Sequence, residues 1–248
     1  MTWLELHPVQ WFEELDSTNR HLLGLAERGE GESGAVVAAR RQTAGRGRLS
    51  RQWQSGAGEN LTFSVFLDLP IEAEHSMTLP LVVGLAVCES LDEFGIAAEV
   101  KWPNDVLVEG RKLCGILSER PPGGRGVGVG VGLNVNMTSS AAMGIDRPAT
   151  SMRIETGREF ETEAVLARVL ARLQSRLGQW ALEGFEAVRA DWLARAAWIG
   201  RDLVVSEGQS NRLGGKFVDI GPRGELILLN PAGERISVLA GDASLREK

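Results

Sequence analysis

The chain has 248 residues and carries 27 lysines plus arginines against 33 aspartates plus glutamates, a net charge of −6. At 43% hydrophobic and 24% charged it has an ordinary globular composition, and its acidic surplus excludes a general nucleic-acid coat while leaving room for one local anion site. Two cysteines in apolar runs and three scattered histidines support neither a disulfide framework nor a zinc site.

The opening MTWLELHPVQWFEEL has no basic leader and no long apolar run, and no stretch reaches the ~18 apolar residues of a membrane span, so a cytoplasmic, membrane-free setting is expected. Asp16-Ser17-Thr18-Asn19 supplies helix-capping side chains ahead of a helix that ends at Gly29. Residues 36–40 and 61–69 read as strands, and 79–95 as a mostly buried helix closed by Gly95. Strands are expected at 97–102, 105–108 and 112–119, with turns at Pro103-Asn104-Asp105 and Glu109-Gly110. Residues 127–137 form a long β run with glycines at alternate positions. Over 162–182 one helical stripe holds Leu166, Val169, Leu170, Leu173, Leu177 and Trp180. After residue 199 short strands follow at the spacing of a small barrel, which places a boundary there: 1–198 a first domain, 199–248 a second.

Three stretches carry chemistry. Residues 40–51, RRQTAGRGRLSR, contain five arginines and no acid. Glycines around Arg46 let the backbone approach a ligand, and Arg46 and Arg48 present planar forks suited to phosphate or carboxylate oxygens, although a solvated basic loop has the same composition. The second is KWPNDVLVEGRK. Only four of the cations are lysines, and two of them, Lys101 and Lys112, fall within twelve residues beside Asp105. Compact ammonium groups can reach an acyl-phosphate bridge, and Asp105 could accept from a lysine, orient a nucleophile or help hold Mg2+; the bland reading is a surface hairpin with a weak ion pair. Third, Ser17, Thr18 and Asn19 offer the mixed donors and acceptors that a neutral polar head such as a ureido ring requires, besides capping a helix. Asn134 and Asn136 interrupt an apolar run and require partners, a ligand or a turn.

In this order the motifs resemble the biotin–protein ligases: Ser17-Thr18-Asn19, the Gly45–Arg51 loop, Lys101–Asp105, Arg111–Leu117, Gly132–Asn136 and the closing GDASLR at 241–246. The resemblance implies an α+β fold, a mixed and largely antiparallel sheet of the class II synthetase-like biotin/lipoate ligase type with helices on one side, followed by a small SH3-like β-barrel. It implies biotin and ATP as substrates with Mg2+, and a biotin carboxyl carrier protein domain as partner. Biotin would be bound by Ser17, Thr18, Asn19, Gln42, Arg46, Gly47, Arg48, Lys112 and Gly115. The nucleotide would lie against Arg48, Arg51, Trp53, Lys101, Asn104, Lys112, Asn134 and Arg246. Lys112, Arg48 and Asp105 would be catalytic, with Asp105 also the candidate Mg2+ ligand. Ser50 stands where the family loop has its third glycine; if that position needs positive φ, serine there costs roughly 1 kcal/mol. The chain begins almost at the catalytic core, so no DNA-binding role is expected, and residues 127–137 could pair across a homodimer by sheet extension. The rivals are a lipoate or octanoate ligase of the same fold, an Arg-rich RNA binder, and an inactive biotin sensor; the absence of histidine near residues 40–51 speaks against the first.

Overall fold

The computed structural model describes residues 5–53, 59–68, 76–122, 125–207 and 211–246. The first part of the chain runs β1 (Gln10–Leu15), α1 (Thr18–Glu27), β2 (Val36–Gln42), a 3-10 turn (Arg48–Ser50), β3 (Asn60–Leu67), α2 (Leu79–Asp92), β4 (Glu99–Lys101), β5 (Asp105–Val108), β6 (Arg111–Glu119) and β7 (Val127–Asn134). Helices α3 (Ser139–Met143), α4 (Met152–Thr156), α5 (Thr162–Glu183) and α6 (Glu186–Ala194) follow. The strands form one seven-stranded sheet in the order β1-β2-β3-β7-β6-β5-β4. Only β1 and β2 pair parallel; the other neighbours are antiparallel.

Alternation on β7 sets up the two faces of this sheet. Val127, Val129, Val131 and Leu133 are buried in the main core together with residues of α2 and α5. The glycines between them point the other way, and α1 packs on that side, where Leu22 joins Val37 and Phe66 in a second cluster. Helices therefore flank both faces, not one. The reason is steric: a Cβ at residue 128 would lie 2.7 Å from Asn19 Oδ1, so glycine there is what lets α1 approach. β7 is also flanked by β3 and β6, so it is no free edge for pairing across a dimer.

Local signals explain most boundaries. Ser17 caps α1 by accepting from the Arg20 N–H. Glu109 and Gly110 take positive φ (50° and 78°), the conformation a two-residue hairpin requires. On α5, Val165, Leu166, Val169, Leu173, Leu177 and Trp180 are buried, the expected stripe with Leu170 at its margin. Asn136 is satisfied by a turn: its Nδ2 donates to Phe160 O (2.8 Å) and its Oδ1 accepts from Phe160 N (3.0 Å). β1 carried no clear strand signal because it is a sheet edge on which no residue is fully buried.

Strands β8 (Asp202–Glu207), β9 (Asn211–Ile220), β10 (Leu226–Leu229), β11 (Arg235–Val238) and β12 (Asp242–Leu245) form a second, wholly antiparallel sheet in the order β11-β10-β9-β8-β12, consistent with a small barrel. It is fastened to the first sheet beside the KWPND turn, where the buried indole Nε1 of Trp102 donates to Gly224 O at 2.8 Å. Arg189 on α6 adds a bond to Ile220 O at 2.6 Å.

Candidate functional site

The glycine-bearing face of β6 and β7, the N-terminus of α1 and the Gly-Arg loop enclose a cavity of about 570 Å3. Ser17, Thr18, Asn19, Gln42, Arg46, Gly47, Arg48, Arg51, Trp53, Asn104, Asp105, Lys112, Gly115 and Asn134 all line it. Three stretches up to a hundred residues apart in sequence thus converge on one space.

One end is polar and without net charge, its Arg46 guanidinium being paired with the Glu119 carboxylate at 2.7 Å. Thr18 and Asn19 are buried at the start of α1. The Thr18 hydroxyl lies 2.8 Å from that of Ser64, and the Thr18 N–H donates to Gln42 Oε1 at 2.8 Å. Ser64 has no motif of its own; the available signal was the alternation of Asn60, Thr62 and Ser64 with apolar residues along β3, which gives that strand one polar face. The Trp53 indole lies over β6 and β7 and forms an apolar wall. A Cβ at residue 132 would stand 2.3 Å from its Cε2, so only glycine admits the ring. Gly132→Ala is therefore expected to expel Trp53 toward solvent, read as a red shift of the Trp53 emission against a Trp53→Phe background.

The other end is cationic. Lys112 Nζ lies 2.5 Å from Asp105 Oδ1 and 5.7 Å from the Trp53 ring centre. Lys101, paired with Asp105 across β4 and β5, places Nζ 3.6 Å from the other carboxylate oxygen and stacks its ammonium over Trp198. Burial pushes the Lys101 ammonium below its ordinary value, and the Asp105 charge opposes that. Lys101 does not line the cavity itself; it meets it through Asp105. Arg48 donates to Asn104 Oδ1 (3.3 Å) and Gly241 O (3.2 Å), so the loop, the KWPND turn and the second sheet meet at one side chain. Burial lowers its proton affinity too, against the pull of Asp242 and Asp105. Asn134 donates to Thr150 O at 2.9 Å, and Thr150 N donates to Lys112 O at 2.9 Å, which ties the 148–150 segment to the strand that carries the lysine.

Arg246 is placed outside this constellation. It is exposed beyond the end of β12, about 13 Å along the strand from Asp242 at ~3.3 Å per residue. Asp242 is the second-sheet residue that reaches the cavity, 2.5 Å from Arg51 and 3.8 Å from Arg147. Arg147 and its neighbours Ile145 and Asp146 line the cavity from a segment with no sequence signal of its own. In the loop the left-handed residue is Leu49 (φ 56°), the one before Ser50, so the positive-φ demand falls on a leucine, a conformation that costs roughly 1 kcal/mol.

Residues 11–136 match the model of the biotin/lipoate A/B protein ligase family. The chain belongs to that family. It is 38% identical over 233 residues to the biotin–[acetyl-CoA-carboxylase] ligase of Paracoccus denitrificans, covering 89% of this chain and 94% of that one. It is 35% identical over 250 residues to the ligase of the same name from Mycobacterium tuberculosis, covering 97% and 88%. Its fold superposes on the biotin protein ligase of Aquifex aeolicus in complex with biotin and ATP with a TM-score of 0.84 at 31% identity, covering 98% of this chain and all of that one.

Among the described residues no group of three His, Cys, Asp or Glu could hold a metal ion. Both Asp105 oxygens face ammonium groups, so Asp105 is poorly suited to be a Mg2+ ligand; a divalent cation there would depend on phosphate oxygens for most of its shell. Among the described residues no helix is long and apolar enough to cross a membrane. The Asp242 cluster makes a further prediction. Burial raises its carboxyl, but the hydrogen bond and charge of Arg51, with Arg147 and Arg48, outweigh this and hold it below 3.8. A carboxyl depressed on folding contributes stability above its unfolded value and loses it as pH falls through the lower folded one. The stability advantage of the natural protein over Asp242→Asn should therefore shrink as pH drops below about 3.8, followed by thermal melts at stepped pH.

Proposed function

We propose that the chain is a biotin–protein ligase: it condenses biotin with ATP to biotinoyl-5′-AMP and pyrophosphate, then transfers the biotinoyl group to a lysine of a biotin carboxyl carrier domain. The observation that carries this reading is one cavity with a neutral donor-and-acceptor end and a cationic end, in a family member similar along nearly its whole length to biotin ligases. A ureido ring requires the first end, and a carboxylate meeting an α-phosphate requires the second.

In the first step a biotin carboxylate oxygen attacks the α-phosphorus, and the bond to the bridging oxygen breaks as pyrophosphate leaves. Ser17, Thr18, Asn19 and Gln42 would hold the ring head, with Trp53 against its apolar side. Lys112 and Arg48 would neutralise charge at the carboxylate and α-phosphate, and Arg51 with Asn104 would steady the nucleotide. Catalysis on this reading is positional and electrostatic. In the second step the neutral amine of the carrier lysine attacks the acyl carbon, AMP departs with the C–O bonding pair, and the new amide nitrogen gives up its proton. The test is ATP–pyrophosphate exchange with biotin, lipoate and octanoate. Exchange with biotin alone is expected; exchange with none, or only with lipoate or octanoate, would overturn the reading.

A further inference from the structure

Glu119, the last residue of β6, lies outside the cavity, yet two cavity residues converge on one of its oxygens. Asn19 Nδ2 donates to Glu119 Oε2 at 2.6 Å, and Arg46 Nη2 donates to the same atom at 2.7 Å. Asn19 belongs to α1, Arg46 to the Gly-Arg loop and Glu119 to the sheet, so one carboxylate oxygen ties together three separate elements of the polar end. Glu119 is three-quarters shielded, with 26% of its side chain exposed, and Asn19 is 3% exposed.

The chemistry of the amide gives this contact its consequence. A carboxylate accepts and cannot donate, so it fixes which end of the Asn19 amide it meets: the NH2 group is consumed, and Oδ1 is left as the free acceptor. Among the described residues Oδ1 is buried with no hydrogen-bond partner. A buried acceptor without a partner is costly and marks a place for a donor. On the opposite strand residue 128, register partner of Glu119, has no side chain, which is what lets the Asn19 amide lie between them. The same oxygen also holds Arg46 against the sheet, so the loop is anchored at the ring-head end independently of Arg48, which anchors it to the second sheet.

We infer that Glu119 is a positioning residue for the biotin head: it orients the Asn19 amide as an acceptor and pins Arg46, so that the polar end is built before the ligand arrives. This rests on the ligase reading but makes a separate demand, since binding of the ring head alone should depend on Glu119. The experiment is calorimetric titration of the full chain with biotin in the absence of nucleotide, with melting temperature and the KM values for biotin and ATP measured alongside. Glu119→Ala should weaken biotin binding about tenfold or more, the scale set by leaving buried polar groups unpaired, and should raise KM for biotin while leaving KM for ATP within about twofold. Glu119→Gln, which keeps an acceptor but loses the charge that holds Arg46, should fall between. In a double-mutant cycle Asn19→Ala should make the Glu119→Ala loss much smaller, because the pair acts as one unit. Biotin affinity within about twofold of the natural protein in Glu119→Ala, equal rises in both KM values, or full additivity with Asn19→Ala would each overturn the inference. Failure of the natural protein to bind biotin would instead overturn the ligase reading, and this inference with it.

Discussion

Lys112→Ala should reduce biotin-dependent pyrophosphate exchange by about a thousandfold, while the melting temperature stays close to that of the natural protein. One preorganised donor aimed at developing charge is worth roughly 10²–10³ in rate, and Lys112 also sits where two anions must meet. Its removal is worse than neutral. Among the described residues Asp105 would keep the Lys101 ammonium, 3.6 Å away, as its ion-pair partner, and would present a less compensated negative charge to the incoming phosphate. The fold should tolerate the change because structural work at this position is done by the backbone: the N–H donates to Pro148 O and the carbonyl accepts from Thr150 N, each at 2.9 Å, and alanine keeps both. Lys112→Arg should restore little, since a planar fork cannot occupy the place of a compact ammonium between Asp105 and the Trp53 ring. Exchange above a tenth of the natural rate in Lys112→Ala would remove the residue from its role.

The sequence made this lysine visible because it is rare in the chain and lies close to Asp105. Hairpin geometry then put Lys101 opposite Asp105 in register, a local consequence of the Pro103-Asn104 turn. What a hairpin does not state is which way its end faces, and Lys101 turned out to stack on Trp198 and to address the cavity through Asp105. The alternating glycines of β7 were legible as a strand, but their purpose depended on α1, more than a hundred residues earlier. Period-two patterning reveals that one face is empty without naming what fills it. Helices on one side and pairing of residues 127–137 across a dimer were expectations from the family resemblance, and β7 lies inside the sheet with α1 on its glycine face. Contacts carried by exposed-looking residues were least legible of all. Arg147 and Glu119 carry no motif, and Asp242 belongs only to the closing GDASLR stretch; long-range packing brings Glu119 to Arg46 and Asp242 to Arg51 and Arg147.

That loop provides the second large effect. Arg48→Ala should leave adenylate formation measurable but shorten retention of the adenylate by about 10- to 100-fold. Arg48 is the side chain through which the loop reaches both the Asn104 amide and the Gly241 carbonyl of the second sheet, and three-quarters of it is shielded. A bond from a charged donor contributes about 1.5–3 kcal/mol at good geometry; both bonds here are long, 3.3 and 3.2 Å, so together they correspond to about 10- to 100-fold in the closed population. Arg51 still reaches Asp242 at 2.5 Å, but that pair ties the loop to the second sheet alone and does not replace the contact of Arg48 with the Asn104 amide. Leu49, held at positive φ in the same turn, adds a bias toward opening once Arg48 no longer pays for the closed geometry. Release of labelled biotinoyl-AMP after rapid dilution measures retention directly. The escaping mixed anhydride should also acylate bystander lysines, so a lysine-rich protein unrelated to the carrier becomes labelled in trans. Unchanged release together with unchanged bystander labelling would show that Arg48 does not hold the loop shut, and would leave Arg46, pinned to Glu119 at the other end of the cavity, as the anchor on which closure depends.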